Sequence, residues 1–160
     1  MRVLFVCTGN ICRSPAAHAV FEAAARSAGL LATVDSAGTG SWHIGELPDP
    51  RARAEGARRG YRLDHRARKL RPADFDVFDL LIAMDRSHLE TLTSLAPAGR
   101  QGRLVLFRTF DPAADGELDV LDPYYDNDGA FSGMFDVIER AAPALLARVA
   151  PRVPVAGVYR

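Results

Sequence analysis

Arg2-Val3-Leu4-Phe5-Val6-Cys7-Thr8-Gly9-Asn10-Ile11-Cys12-Arg13-Ser14-Pro15 follows the initial methionine. Arg2 to Val6 is a short apolar run rich in Val and Phe, the pattern of a parallel strand buried on both faces. Gly9 and Asn10 are the residue types that best tolerate positive φ, so a tight turn follows. Pro15 suits the first turn of a helix. Ala16 to Ala28 is then a run of helix formers closed by Gly29, with Ala17, Val20, Phe21, Ala24 and Ala28 at helical spacing.

The same alternation continues. Ala32 to Ser36 is a second candidate strand, stopped by Ala37-Gly38-Thr39-Gly40, and a loop with two prolines and two glycines runs from Gly40 to Pro50. Asp49-Pro50 opens a helix through Arg59, with Gly60 at its end. Phe78 to Met84 reads as a third strand, and either Asp85 or Ser87 caps a helix through Leu95. Leu104 to Phe107 is a fourth. Phe131 to Val149 is a long amphipathic helix with Phe135, Ile138, Ala142 and Leu145 or Leu146 inward, and Pro143 predicts a kink or a break in it. The expected fold is α/β: a doubly wound, four-stranded parallel sheet with helices on both faces and an anion-binding loop after strand 1. Ligands in such folds sit beyond the carboxyl ends of the strands, where the Cys7 loop emerges. Residues 1–150 read as one domain and 151–160 as a C-terminal tail.

Composition narrows the class. The chain has 160 residues, 48% hydrophobic and 25% charged, with 20 basic and 20 acidic side chains. A formal net charge of zero creates no global field toward nucleic acid or anionic lipid, so neither is an expected partner. No apolar stretch is long enough for a membrane span, and the segment after Arg2 is too short for a signal-peptide core, which makes the cytoplasm the default. With 2 cysteines, a disulfide scaffold and a four-cysteine zinc site are both excluded. His18, His43 and His88 are scattered and suggest no metal cluster. Charge is nonetheless segregated. Residues 51–71 carry nine basic and two acidic side chains, read as solvated surface rather than a docking face, and 111–128 carry seven acidic and none basic. That acidic stretch exceeds most ordinary loops, which points to function.

The turn from Cys7 to Ser14 lacks the Gly-Lys-Ser/Thr ending of nucleotide-binding loops. It can instead aim successive amides inward as a nest, reinforced by the positive end of the helix starting at Ser14-Pro15. Arg13 adds a planar two-pronged donor matched to two oxygens of a phosphoryl group. These donors favour the thiolate of Cys7 and make it a nucleophile at neutral pH without a histidine base. A leaving phenolate or alkoxide benefits from a proton. Asp122 is the foremost candidate because Pro123 fixes its backbone; Asp119, Asp126 and Asp128 compete.

At these residues the chain resembles the low-molecular-weight protein-tyrosine phosphatases, and most closely their bacterial members. Val6 through Pro15 is similar to the family signature in full. The likeness extends over about 150 residues through Ser36-Ala37-Gly38-Thr39, Trp42-His43-Ile44-Gly45, Asp49-Pro50-Arg51-Ala52, His65-Arg66-Ala67-Arg68, Met84-Asp85-Arg86-Ser87 and Asp122-Pro123-Tyr124-Tyr125. The resemblance implies hydrolysis of protein phosphotyrosine through a cysteinyl-phosphate, with no metal and no cofactor. Cys7 is then the nucleophile, Arg13 and the amides of Thr8, Gly9, Asn10, Ile11 and Cys12 hold the phosphoryl oxygens, and Asp122 is the general acid and then base. Asn10, Ser14, Ser36 and His65 are implied to brace the loop, with Ser14 also stabilising the thiolate. Ile11, Trp42 and Tyr124 or Tyr125 are implied to wall a slot deep enough for phosphotyrosine and too deep for phosphoserine. Asp85 either holds the backbone or Arg13, or serves only as a helix cap. Cys12 is implied to trap oxidised Cys7 as a disulfide, the alternative being simple packing. Expected partners are phosphotyrosine proteins, a bacterial tyrosine kinase among them, and the protein itself is expected to be a monomer; some family members leave the cell without a signal peptide.

Three other readings stay open. Phosphoarginine phosphatases of the family place a small β-branched residue in the loop, near Thr8, whereas Ile11 and the Asp122 block are more similar to tyrosine-type enzymes. Thioredoxin-coupled arsenate reductases need redox cysteines beyond Cys12. A non-catalytic phosphotyrosine-binding module would need Arg13 but not both Cys7 and Asp122.

Overall fold

The computed structural model describes residues 1–151; most of the segment set apart above as a tail therefore lies outside the described residues. Four parallel strands, β1 (Arg2–Cys7), β2 (Thr33–Gly38), β3 (Leu80–Ala83) and β4 (Leu104–Leu106), lie in the order β2-β1-β3-β4. The chain steps from β1 to one side and then crosses to the other, so β1 is the point where the winding reverses. Helices α1 (Arg13–Ser27), α2 (Pro50–Arg58) and α5 (Asp128–Val149), and α3 (Asp74–Val77) with α4 (Arg86–Leu95), complete the fold.

Strand periodicity divides β1 between two cores. Val3, Phe5 and Cys7 pack with Val20, Phe21, Phe135 and Ile138 from α1 and α5. Leu4 and Val6 pack with Phe75, Leu81 and Leu92 on the face of α3 and α4. Helices thus cover both faces, as expected.

Several boundaries differ from the sequence reading. β2 runs through Ala37-Gly38, the residues read as its stop, because Gly38 pairs with Cys7 and bridges to Lys69. A Cβ on Gly38 would lie 2.6 Å from the carbonyl oxygen of Thr8, so only glycine admits this approach. β3 and β4 are shorter than predicted; Phe107 begins a 3-10 turn instead of ending β4. In α1 Ala17 is buried as predicted, but Ala25 rather than Ala24 is buried further along the helix, and Ala28 is exposed. α5 begins three residues earlier than predicted and is not broken at Pro143. Pro143 is exposed, so the carbonyl four residues back can bond water. Of the predicted alternatives, Leu145 is buried and Leu146 partly so.

The basic run is mostly exposed surface, as read from the sequence, but several of its arginines also act as clamps. Arg51 pairs with Asp49, Arg58 and Arg59 with Glu55, Arg59 also with Glu139, and Arg68 with both Asp35 and Asp74. A second network anchors the acidic stretch. Buried Asp111 accepts from Arg140 Nε at 2.6 Å and Nη2 at 2.7 Å, from Arg108 Nε at 3.2 Å and from the Ala113 amide. The Arg140 bonds dominate in lowering its pKa to about 2, against the opposing effect of burial. A carboxylate held below its unfolded value stabilises the fold above that value and loses the contribution as pH falls through about 2. Asp111→Asn should therefore cost about 2 kcal/mol at pH 7 and flatten the acid limb of stability from about pH 4 downward. Urea denaturation at neutral and acid pH checks this; an unchanged acid limb in the variant would exclude Asp111 as its source.

Candidate active site

Local hydrogen bonding explains the shape of the loop after β1. The carbonyls of Cys7, Thr8, Ile11 and Cys12 accept from Thr39, Gly40, Asp49 and Ala16 amides, which turns them outward. Among the described residues, the amides of Gly9 to Cys12 donate to no other protein group. Unpaired backbone donors beside a cavity call for an anion.

Positive φ falls on Asn10, at 56°, and not on Gly9. Gly9 serves a different need: a Cβ there would lie 3.1 Å from His43 Cδ2. The strain at Asn10 is held by its whole amide. Nδ2 donates to Ser14 Oγ at 2.8 Å and Ser36 Oγ at 2.9 Å, while Oδ1 accepts from the Arg68 amide at 3.0 Å. Ser14 Oγ, already an acceptor, lies 2.9 Å from Cys7 Sγ, so its hydrogen is free to point at the sulfur. His65 does not reach Asn10. Its Nε2 lies 3.3 Å from the Ser36 carbonyl and 3.2 Å from Asp35 Oδ1, so it adjoins the brace without joining the side-chain chain.

Cys7, Thr8, Gly9, Ile11, Cys12 and Arg13 line one cavity of about 460 Å³, together with Trp42, His43, Asp122, Tyr124 and Tyr125. Of the acidic residues competing for the proton-donor position, only Asp122 lines it. The side chain of Asp122 is 47% exposed, its Oδ2 is 3.6 Å from Arg13 Nη2, and its Oδ1 accepts from the Tyr124 amide at 3.2 Å. Trp42 and Tyr125 are 73% and 91% exposed, so flat hydrophobic surface stands at the rim with little else to cover it. Tyr124 and Tyr125 meet edge to face at 4.9 Å, and both contribute to the wall.

The buried Arg13 guanidinium is fixed from behind. Nη1 donates to Asp85 Oδ2 at 2.7 Å and to the Val120 carbonyl at 2.9 Å. Asp85 also caps α4 through Oδ1, which accepts from the His88 amide and Ser87 Oγ, so it does both of the jobs left open by the sequence. Burial raises its pKa, but hydrogen bonds from Ser87, the His88 amide and Arg13 outweigh this and hold it below the ordinary value.

Three contributors were not evident from sequence. His88 is buried with Nε2 2.7 Å from Thr8 Oγ1; burial chiefly lowers its pKa to about 4, so it is neutral at physiological pH. Its Nδ1 is 3.1 Å from Asp85 Oδ1 yet makes no properly directed hydrogen bond. Arg51 ties the start of α2 to the acidic stretch: Nη2 donates to Asp49 Oδ2 at 2.8 Å and the Tyr124 carbonyl at 3.0 Å, with the guanidinium 4.6 Å from the Phe131 ring centre. Val120 donates its amide to the Met84 carbonyl at 2.8 Å. Asp122 is thus flanked by two anchors, Val120 and Tyr124.

Cys12 is buried and free, and burial, then the Asp49 charge, pushes its thiol pKa well up. His18, scattered in sequence, packs against His65 with ring centres 5.1 Å apart; burial, then the His65 charge, lowers its pKa.

Comparison with known proteins places the chain in a family. A protein from Streptomyces coelicolor named a low molecular weight protein-tyrosine-phosphatase is 51% identical over 95% of both chains. A crystal structure of a protein tyrosine phosphatase from Entamoeba histolytica superposes with a TM-score of 0.89, at 36% identity, covering 92% of this chain and 96% of that one. The Drosophila arginine phosphatase superposes with a TM-score of 0.88, at 29% identity, covering 96% of this chain and all of that one. Residues 2–154 match the family model described as low molecular weight phosphotyrosine protein phosphatase, and the chain belongs to that family.

Proposed function

We propose that this protein hydrolyses phosphotyrosine in proteins in two steps through a cysteinyl-phosphate. The observation that carries the reading is Cys7 Sγ, hydrogen-bonded to Ser14 in a cavity shared with Arg13 and Asp122. Cys7 attacks phosphorus in line with the ester oxygen. The Arg13 guanidinium and the amides of Thr8 to Arg13 hold the equatorial oxygens, and Asp122 gives its proton to the departing phenol. Asp122, now a carboxylate, takes a proton from water as that water attacks the thiophosphate. Inorganic phosphate leaves and the Cys7 thiolate is restored. Arg13 and the loop amides stabilise the charge, so no step requires a metal.

Trp42, Tyr124 and Tyr125 suit the flat ring of an aryl phosphate, and Ile11 on the cavity wall adds apolar contact. A shorter phosphoserine would leave its phosphate above the loop. The phosphoarginine reading draws on the Drosophila neighbour and on Thr8. Here, however, Thr8 Oγ1 is engaged by His88, which leaves it less free to meet a guanidinium. Arsenate reduction lacks a further redox cysteine in a chain with 2. A purely binding role gives no reason for Asp122 to be positioned by two anchors.

The deciding test is turnover of phosphotyrosine, phosphoserine and phosphoarginine peptides side by side. Phosphotyrosine should exceed the others by about 100-fold or more in kcat/KM. Equal or faster phosphoarginine turnover would move the assignment to that substrate, and no turnover of any would leave the binding module. The reading also carries a monomeric enzyme in the cytoplasm, with a bacterial tyrosine kinase among its phosphotyrosine partners. No described helix is long and apolar enough to cross a membrane.

A further inference from the structure

Outside the substrate cavity and beside the Ser36 brace, the fold assembles a second group of ligating side chains. His18 comes from α1, Asp35 from β2 and His65 from the segment that follows α2. One nitrogen or oxygen from each lies within 4.8 Å of the others. Sequence spacings of 17 and 30 residues conceal this, which is why the histidines look unrelated when read along the chain.

The donor atoms are unequally committed. His18 Nδ1 is buried and has no partner among the described residues. Asp35 directs Oδ2 to Arg68 Nε at 3.0 Å, leaving Oδ1, which accepts from the Ser36 amide and lies 3.2 Å from His65 Nε2. Two imidazoles and one carboxylate form the mixed nitrogen–oxygen set that borderline divalent ions take. A cavity of about 40 Å³ adjoins the group, with Glu22 on its wall beside His18 and His65, and with Asp64, whose charge is answered by Arg62 at 2.7 Å. Glu22 stands one turn along α1 from His18, on the same helix face, and can supply a fourth oxygen.

We propose that His18, Asp35 and His65 form an accessory site for a divalent transition ion of the zinc type, separate from the substrate cavity. Ligands around tetrahedral zinc stand about 3.4 Å apart, so binding requires closure by roughly an ångström through rotation of the two imidazoles. His65 Nε2 would then leave the Ser36 carbonyl. Ser36 Oγ receives Asn10 Nδ2, so the site touches the brace of the strained loop residue without touching the nucleophile.

The test is titration of the metal-free protein with Co²⁺ and Zn²⁺. One equivalent of Co²⁺ should give the visible bands of a nitrogen–oxygen tetrahedral site, without the near-ultraviolet thiolate charge-transfer band that Cys7 or Cys12 would produce. His18→Gln and, separately, His65→Gln should each weaken Zn²⁺ binding by about 100-fold. Zn²⁺ should raise the melting temperature of the parent protein but not of His18→Gln, whose own folding is verified by near-ultraviolet circular dichroism. A thiolate band, or affinity unchanged in a folded His18→Gln, would overturn the proposal. So would failure of either ion to bind the parent protein at millimolar concentration.

Discussion

Cys7→Ser is expected to bind inorganic phosphate nearly as well as the parent protein while losing turnover of p-nitrophenyl phosphate by about four orders of magnitude or more. The two halves of this result come from different atoms. Phosphate affinity resides in Arg13, locked to Asp85 and the Val120 carbonyl, and in loop amides whose partner carbonyls are already bonded outward. Neither depends on the sulfur. Turnover depends on a polarisable anion at that position, and a serine hydroxyl beside Ser14 Oγ has no base to ionise it. Calorimetry with phosphate and a steady-state assay give the two readings. Substantial hydrolysis by the variant would eliminate the covalent intermediate. The same substitution has a redox readout. Peroxide should convert the Cys7 thiolate to a sulfenic acid, which Cys12 then condenses with, releasing water and leaving an intramolecular disulfide visible by mass spectrometry. Cys12 is held protonated by its burial, so in Cys7→Ser it should stay unoxidised under the same treatment.

What the sequence made legible was contiguous. The strand, the turn and the helix start around Cys7 lie in one stretch, so local steric and hydrogen-bonding rules suffice to read them. The turn chemistry was only half right, because Gly9 and Asn10 are both able to take positive φ and local rules cannot choose between them. The choice is made from outside: Ser36 and the Arg68 amide fix the side chain of Asn10, whereas at Gly9 the nearness of His43 leaves little room for a Cβ. The extension of β2 through Gly38 was missed for a related reason. A glycine after a strand ordinarily signals a stop, and only the approach of the Thr8 carbonyl shows why it must be inside the strand here.

Long-range ion pairs were the least legible layer. The run from Arg51 to Arg71 carries no periodicity that separates a solvated face from a set of internal clamps. Arg51 meets Tyr124 across 73 positions, and Arg59 meets Glu139 across 80. His88 was invisible for the same reason: nothing near it in sequence mentions Thr8, 80 positions earlier. Residues that carry the chemistry sit in recognisable local motifs, whereas those that aim them are specified by tertiary pairing alone.

Aim is what the second large effect measures. Asp122→Ala should slow phosphotyrosine peptides by about 10²–10⁴-fold in kcat, and p-nitrophenyl phosphate distinctly less. Tyrosine leaves as a basic phenolate that needs a proton as its bond to phosphorus breaks. p-Nitrophenolate is a far weaker base and departs without one. Loss should therefore steepen along a series of aryl phosphates of increasing leaving-group basicity, with phosphate affinity little changed because Asp122 Oδ2 stands 3.6 Å from Arg13 rather than in its principal hydrogen bonds. A uniform loss across the series would mean that Asp122 only shapes the cavity. Arg51→Ala separates position from chemistry. It keeps the carboxyl group but frees the Tyr124 carbonyl, one of the two anchors beside it, and should reproduce a fraction of the same leaving-group trend. A proton donor 115 positions from its nucleophile can act only if the intervening chain holds it in place, and Arg51 is one of the residues that does so.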